Sequence, residues 1–578
     1  MARRPRRGTR DNRLLTVGVV FVLAWGGIGF RLFEVQGVQA GSFAERGQEQ
    51  RVRNEDLPAD RGTIFDRDGV ELAVSIRAVT MIANPSVIKR PKETARLIAP
   101  LVGVDRDDLA ERLSNNESQF AYVARRLERS QVEEVYALIE ELGIEGFWFV
   151  EEPKRVYPAG PLAAQVVGFV QDDDGVGIEG LEFQYDAALA GEPGRQIVER
   201  DPFGKPIPQG EFTIDPPVPG ADLVLTLDGA VQYATQQFLE KALRETKAVG
   251  GTVVVLSVKT GEILAMANAP TFDPNERSAY DPIHYRNRAV ADVYEPGSTL
   301  KVVTISAAMN EGIVERNTLF DVPGELEIHD KVYTDEARKK AERMTVADIV
   351  ARSSNIGTIL IEQELGNDLL SAYLQAFGLG KKASGEFPGE ASGSLQPVSE
   401  WCDTTCGPST AIGYRVGVTP LQMASVFGAI ANDGLWIEPH IVRETLHSSG
   451  ERDVYDPVTR PVLSESTAGV MRRLLQGVVE EGTGWRAAID GYTVGGKTGT
   501  TEKFVPGKGY SKKDRIASFI GMAPVDDPEL VVAVMLDSPH GELAKDVDLK
   551  FGGVSAAPLF AEVMEAALHR LGVAPDAE

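Results

Sequence analysis

The chain has 578 residues, enough for two to four domains with large cores. Its composition, 43% apolar and 25% charged, is that of a globular protein, and a formal net charge of −25 excludes nucleic acid as the expected partner and suits a soluble ectodomain. With two cysteines only, Cys402 and Cys406, no disulfide framework holds the fold together.

Residues 1–13 carry Arg3, Arg4, Arg6, Arg7, Arg10 and Arg13 against one acid, Asp11. An uncharged run follows from Leu14 to Phe30, and Leu32-Phe33 extends it past Arg31. This is near the lower limit for a membrane span, about 17–25 residues. The clustered arginines predict a cytoplasmic N-terminus, with everything after about residue 34 outside. A cleaved signal peptide fits less well, because Arg31-Leu32-Phe33-Glu34 is not a small-residue cleavage site. Gly18, Gly26, Gly27 and Gly29 would permit close contact with another membrane helix.

Residues 34–60 read as a polar stalk. Arg61 to Gly69, followed by Leu72-Ala73-Val74-Ser75, reads as a hairpin closed by an Asp-Gly turn. Helices are predicted over 93–102 and 131–142. Arg155-Val156-Tyr157-Pro158 and Gly177-Ile178-Glu179-Gly180-Leu181-Glu182 are two further charged clusters, expected to pair within a β-rich framework; Arg61, Asp66 and Glu179 are read as structural. Six prolines over 201–221 mark a linker. A helix over 230–246 and strands over 252–258 and 262–267 open the next domain.

Tyr294-Glu295-Pro296-Gly297-Ser298-Thr299-Leu300-Lys301 then leads into an apolar helix. Ser298 falls in its first turn, and Lys301 lies one turn on, on the same face. A serine hydroxyl needs an adjacent base to attack at neutral pH. A lysine buried beside a helix N-terminus loses its proton readily, and the N-terminus offers a backbone N–H to an oxyanion.

A lone Ser-x-x-Lys is a weak signal, and Ser86-Val87-Ile88-Lys89 is a second one. With Ser114-Asn115-Asn116 and Lys259-Thr260-Gly261 it forms a decoy trio in the same order as Ser298/Lys301, Ser353-Ser354-Asn355 and Lys497-Thr498-Gly499-Thr500. Context separates the two sets. Arg90-Pro91 follows Lys89, Ser114 ends a polar helix, and Lys259-Thr260-Gly261 is a hairpin tip, whereas Lys497 follows Gly495-Gly496, small residues that let a substrate backbone approach an edge strand. Ser353-Ser354-Asn355 falls in a helical region over 344–364. A long helix is predicted over 413–434, core strands over 517–521 and 530–536, and a C-terminal helix over 558–571.

These motifs, with their flanks over nearly the whole chain, resemble a class B penicillin-binding protein, a peptidoglycan transpeptidase, and most closely its division-specific septal type. The resemblance implies an α/β serine acyl-transferase domain, an antiparallel sheet flanked by helices, above a β-rich α+β pedestal and one transmembrane helix. The expected division is a basic tail (1–13), a signal-anchor (14–33), a pedestal (34–215), a transpeptidase domain (216–572) and a tail (573–578). It implies Ser298 as nucleophile, Lys301 as base, Ser353 as proton relay, Asn355 as holder of the substrate amide and Lys497 as a source of positive potential. Thr498, Gly499 and Thr500 line the carboxylate site, with the Ser298 and Thr500 N–H groups as oxyanion hole. Substrates would be stem peptides and ligands β-lactams, with no metal or cofactor. Partners would be the membrane, a multi-span glycosyltransferase that polymerises lipid II, and other division proteins.

Three other readings stay open: an elongation-type transpeptidase, a membrane-anchored β-lactam sensor or β-lactamase, and a non-catalytic wall-synthesis scaffold. Glu295 is expected to be a solvated or capping residue. Cys402 and Cys406 lie in a loop, either as a local disulfide or as two free thiols; two ligands do not suggest a metal site.

Overall fold

The computed structural model describes residues 10–42, 52–200, 206–336, 340–505, 507–544 and 547–577. The arginines at positions 3, 4, 6 and 7, part of the predicted stalk and residues 201–205 of the predicted linker lie outside them. The chain folds as two compact units: Met1–Ala59 with Ala78–Glu152 and Glu192–Val218, and Asp60–Arg77 with Pro153–Gly191 and Pro219–Glu578.

In the first unit, a helix runs over Arg10–Phe33. Its apolar side chains are exposed throughout. Among the described residues it is the one helix long and apolar enough to cross a membrane. Helices Pro91–Val102 and Arg129–Leu142 are found where periodicity places them, each ending at a left-handed glycine, Gly103 and Gly143. With Arg106–Ser114 they cover a small core around Met81, Ile98, Leu109 and Val123. Two expectations fail here. Val52–Leu57, assigned to the stalk, and Pro206–Asp215, assigned to the linker, are strands on either side of Gly194–Arg200. Val52–Leu57 finds its partner far along the chain, which local composition does not reveal, and Pro206–Asp215 folds back on the strand just before it despite its prolines.

In the second unit, a five-stranded antiparallel sheet has the order Ile263–Ala269, Gly250–Ser257, Leu530–Asp537, Gly509–Ala523, Gly495–Val505. Its inner strands are apolar without alternation because both faces are covered. Gly229–Thr246 and Gly552–Leu571 pack on one face against Val253, Phe519 and Val534. Lys301–Asn310 and Pro420–Ala431 pack on the other against Val254, Ile520 and Met535. The C-terminal helix starts six residues before the expected 558 and carries Pro558 in its interior. Only the Pro420–Ala431 part of the predicted 413–434 helix is helical: Thr419 caps it, Gly413 lies in a turn, and Val418 bridges Tyr294 and Gly417 bridges Ser394.

The three charged clusters belong to this second unit. Ile64–Phe65 pairs with the start of Glu71–Ala83, and Asp66 Oδ1 accepts from the N–H groups of Asp68 (2.9 Å) and Val70 (2.8 Å) to close the turn. Glu182, fully buried, accepts from Arg61 Nε (2.6 Å) and Arg155 Nε (2.7 Å). Arg61 also reaches Asp186 (2.7 Å). Two forked guanidiniums thus satisfy both oxygens of a carboxylate that could not otherwise be buried. Glu182 rather than Glu179 closes this network; sequence alone does not separate two acids three residues apart.

Candidate active site

Ser298 sits in a tight 3-10 turn, Gly297–Thr299, and the α-helix proper begins at Lys301. The turn requires Gly297, whose φ is +54° and whose Cβ would lie 2.2 Å from Thr501 Cγ2. Its N–H donates to Gly413 O (3.1 Å), and Thr299 Oγ1 donates to Pro296 O (2.9 Å). Ser298 is therefore held half-buried at the mouth of a helix, in the wall of a cleft of about 1040 Å³ shared with Asp335, Ser353, Asn355, Thr498 and Thr500.

Lys301 is buried, and its Nζ donates to Asn355 Oδ1 (2.7 Å), Ser353 O (2.7 Å) and Ser353 Oγ (3.4 Å). Burial lowers its pKa to about 7, while Asp335 and Glu336 pull the other way. Lys497, equally buried, donates to Ser353 Oγ (2.8 Å). Burial, and then the charge of Lys301, hold it well below its ordinary pKa.

The Ser353 segment is not inside a continuous helix as 344–364 suggests. Glu342–Thr345 is a strand, Val346–Ala351 a short helix, and Asn355–Leu365 a second helix. Ser353 lies in the break with φ +57°, and Ser354 caps the second helix through Gly357 N (2.9 Å). The break aims Ser353 and Asn355 at Lys301 from outside its own helix.

Gly495–Val505 is an edge of the sheet. Lys497 pairs with Ile520 and Thr498 with Phe519, so successive side chains alternate: Lys497 inward to Ser353, Thr498 into the cleft. A Cβ on Gly499 would meet Ser518 Oγ at 2.4 Å and Thr299 Cγ2 at 3.0 Å, so a larger residue here would have to displace the Ser518 hydroxyl. Thr500 Oγ1 accepts from Gly552 N (3.0 Å).

Of the eight sequence-predicted site residues, Ser298, Ser353, Asn355, Thr498 and Thr500 line one cleft, Lys301 and Lys497 reach Ser353 from beneath it, and Gly499 lies between two of the lining residues; the decoys are elsewhere. Ser86 is exposed and bonds Asn84 Oδ1 (2.6 Å), Ser114 bonds its own helix at Ala110 O (2.6 Å), and Lys259 pairs with Asp527 (2.7 Å) at a turn.

Two residues of the site escaped sequence reading, and a third beside it was misread. Thr483 faces Thr498, hydroxyl to hydroxyl at 2.8 Å; the small-residue string Gly482-Thr483-Gly484 after a helix was the available signal. Asp335 binds Ser354 Oγ (2.7 Å) and Asn355 N (2.6 Å), and nothing local marks it. Glu295, expected to be solvated or capping, is half-buried: Oε1 accepts from Arg415 N (2.8 Å) and Tyr510 O–H (3.0 Å), and Oε2 is buried with no partner among the described residues. It borders a separate cleft of about 610 Å³, and does not line the one that holds Ser298.

The loop before Gly413 is tied by a disulfide, Cys402–Cys406, with Cα atoms 5.3 Å apart. Cys406 starts the helix Cys406–Ala411, and Thr405 and Ser409 accept or share hydrogen bonds with Tyr333 O–H (3.4 and 2.8 Å).

Comparison with known proteins agrees with this geometry. Residues 251–565 match the model of the penicillin binding protein transpeptidase domain, and residues 56–225 that of the penicillin-binding protein dimerisation domain. The chain is 35% identical to the probable peptidoglycan D,D-transpeptidase PenA of Neisseria meningitidis, over 98% of this chain and 94% of that one. It is 30% identical to the peptidoglycan D,D-transpeptidase FtsI of Escherichia coli, over 95% and 90%. The crystal structure of penicillin binding protein 3 from Mycobacterium tuberculosis complexed with aztreonam superposes with a TM-score of 0.71 at 29% identity, over 90% of this chain and 99% of that one. A serine at a helix mouth, two buried lysines meeting at a second serine, and matches along nearly the full length make this chain a member of the class B penicillin-binding proteins, the peptidoglycan D,D-transpeptidases.

Proposed function

We propose that Ser298 is the acylated nucleophile and that the chain crosslinks stem peptides in septal wall synthesis. The observation that carries the site assignment is the meeting of Lys301 and Lys497 at Ser353 Oγ beside Ser298 in one cleft. Ser298 Oγ attacks the penultimate D-Ala carbonyl and gives its proton to Lys301. Ser353 passes a proton to the leaving D-Ala amine, and the C–N bond breaks. An amine of a second stem then attacks the ester, and the proton it loses returns to Ser298 Oγ. Asn355 holds the substrate amide. Lys497, Thr498, Gly499 and Thr500 receive the terminal carboxylate, and the Ser298 and Thr500 N–H groups stabilise the oxyanion, typically about 3–4 kcal/mol per donor.

The remaining assignments extend the same reading. The Arg10–Phe33 helix anchors the chain with its N-terminus in the cytoplasm, and the non-catalytic domain, 34–215, and the catalytic domain, 216–572, lie outside. Gly18, Gly26, Gly27 and Gly29 face a multi-span glycosyltransferase that polymerises lipid II. The septal role rests on the resemblance of the motifs and their flanks to the division-specific type. β-Lactams acylate Ser298 and leave slowly, because none of the three motifs supplies a dedicated base to aim water at the ester.

The test is fluorescent-penicillin labelling of the membrane-inserted protein, followed by peptide mapping. The adduct is expected on Ser298 and absent from Ser298→Ala; an adduct on Ser86 overturns the assignment. Depletion in the native cell separates the roles: filaments are expected from septal loss, and rounding from loss of elongation.

A further inference from the structure

Asp335 stands outside the three motifs, yet it touches the middle one at three points. Oδ2 accepts from Ser354 Oγ (2.7 Å), and Oδ1 from the N–H groups of Asn355 (2.6 Å) and Ile356 (3.1 Å). These are the first donors of the Asn355–Leu365 helix, where a carboxylate is favoured by unpaired N–H groups and by the positive end of the dipole. Thr334 O, one residue before, accepts from Asn355 Nδ2 (3.0 Å). That leaves Asn355 Oδ1 turned to Lys301 Nζ at 2.7 Å. Both ends of the Asn355 amide are thus fixed, one by Thr334 and one by Lys301. Asp335 is itself 8% exposed and borders the cleft.

We propose that Asp335 is a positioning residue for the transpeptidase reaction: it locks the Ser353–Asn355 segment against Lys301 and supplies a negative charge that Lys301 senses across Asn355. The inference rests on the reading of Lys301 as the base. The charged groups facing Lys301 are Asp335, Glu336 and Lys497. Burial favours the neutral amine, Asp335 is the first of two carboxylates opposing it, and Lys497 repels its charged form. Removing the Asp335 charge therefore lowers the pH at which Lys301 becomes a competent base. Removing only the hydroxyl of Ser354 loosens the segment and leaves the charge in place.

The test is the second-order rate of acylation by fluorescent penicillin, measured from pH 5 to 9 on the full-length protein in detergent. Asp335→Asn keeps an acceptor for the two N–H groups. Its acid limb is expected to move down by roughly one pH unit, with a plateau reduced several-fold. Ser354→Ala is expected to lower the plateau with the limb unmoved. An Asp335→Asn limb that coincides with the wild type overturns the proposal, as does an equal shift in Ser354→Ala. Lys301→Ala distinguishes the two readings. If it acylates at the wild-type rate, the base assignment itself fails; if it is inactive while Asp335→Asn is unshifted, only the role of Asp335 fails.

Discussion

Lys301 and Lys497 approach one hydroxyl from two elements: their Nζ atoms lie 3.4 and 2.8 Å from Ser353 Oγ. Both side chains are buried, and two ammonium groups so placed repel each other in a medium that screens them poorly. The pair is therefore poised with at least one amine neutral near pH 7, which is the state a general base requires. Ser353, donor and acceptor at once, can serve whichever amine holds the proton.

The first prediction is the pH dependence of acylation. Lys301 acts only when neutral, and its pKa is lowered to about 7. The rate should be level above that pH and fall tenfold per unit below it. Lys301→Ala should lose roughly 10²–10⁴-fold at the plateau. Lys497→Ala should fall less, by losing attraction for the carboxylate. Stopped-flow acylation across pH checks both; a flat profile from pH 5 to 8 contradicts the role of Lys301.

Gly297→Ala tests the turn that presents Ser298. The new Cβ would stand 2.2 Å from Thr501 Cγ2, at a backbone φ of +54°. The edge strand or the turn must move, at a cost of about 1–3 kcal/mol. Penicillin labelling should drop sharply, and the melting temperature should fall by a few degrees. Wild-type labelling with an unchanged melting temperature would mean the turn is not held as described.

The disulfide closes a small ring, so its contribution should lie at the low end of the usual range, below about 3 kcal/mol. Cys402→Ser with Cys406→Ser should lower the melting temperature modestly. Thr405 and Ser409 meet Tyr333, which adjoins the Thr334 carbonyl that orients Asn355, so acylation should slow as well. Mass spectrometry of the exported protein should find both thiols oxidised. Two free thiols there would count against the bond.

Glu362 links pH to stability. Its carboxyl is 3% exposed, and Oε2 has no partner among the described residues; Asn367 Oδ1, also buried, has none. Both side chains crowd the missing Cβ of Gly407, at 2.4 Å for Glu362 Oε1 and 1.9 Å for Asn367 Oδ1. Burial raises Glu362 from 4.5 to about 7. A carboxyl whose pKa is raised on folding stabilises fully below its unfolded pKa, and that stability is lost as pH rises through the folded value. Glu362→Gln should therefore match the wild type near pH 5 and be the more stable at pH 8, by up to roughly 3 kcal/mol. Thermal melts at both pH values decide it. A variant less stable than the wild type at pH 8 would mean that Glu362 is ionised and paired.

Much of the site was legible in the order of residues alone. Ser298, Lys301, Ser353, Asn355 and Lys497 to Thr500 carry the chemistry, their flanks set them apart from the Ser86, Ser114 and Lys259 motifs, and the unbroken apolar strands and helices around them announce a core covered on both faces. The long apolar helix near the N-terminus was equally plain, because a long uncharged run needs no partner to be recognised. Tertiary structure decided what depends on contacts between distant segments. The strand at Val52–Leu57 exists because Gly194–Arg200, far along the chain, completes its hydrogen bonds, and Asp335, from another loop, accepts from the first N–H groups of the helix that follows the break at Ser353. Which of two acids, Glu179 or Glu182, is buried between Arg61 and Arg155 is likewise a matter of which side chain the fold turns inward. Sequence carries the chemical groups and their periodicity; the field each group feels, and so the protonation of Lys301, is set by burial and by neighbours that only folding brings near.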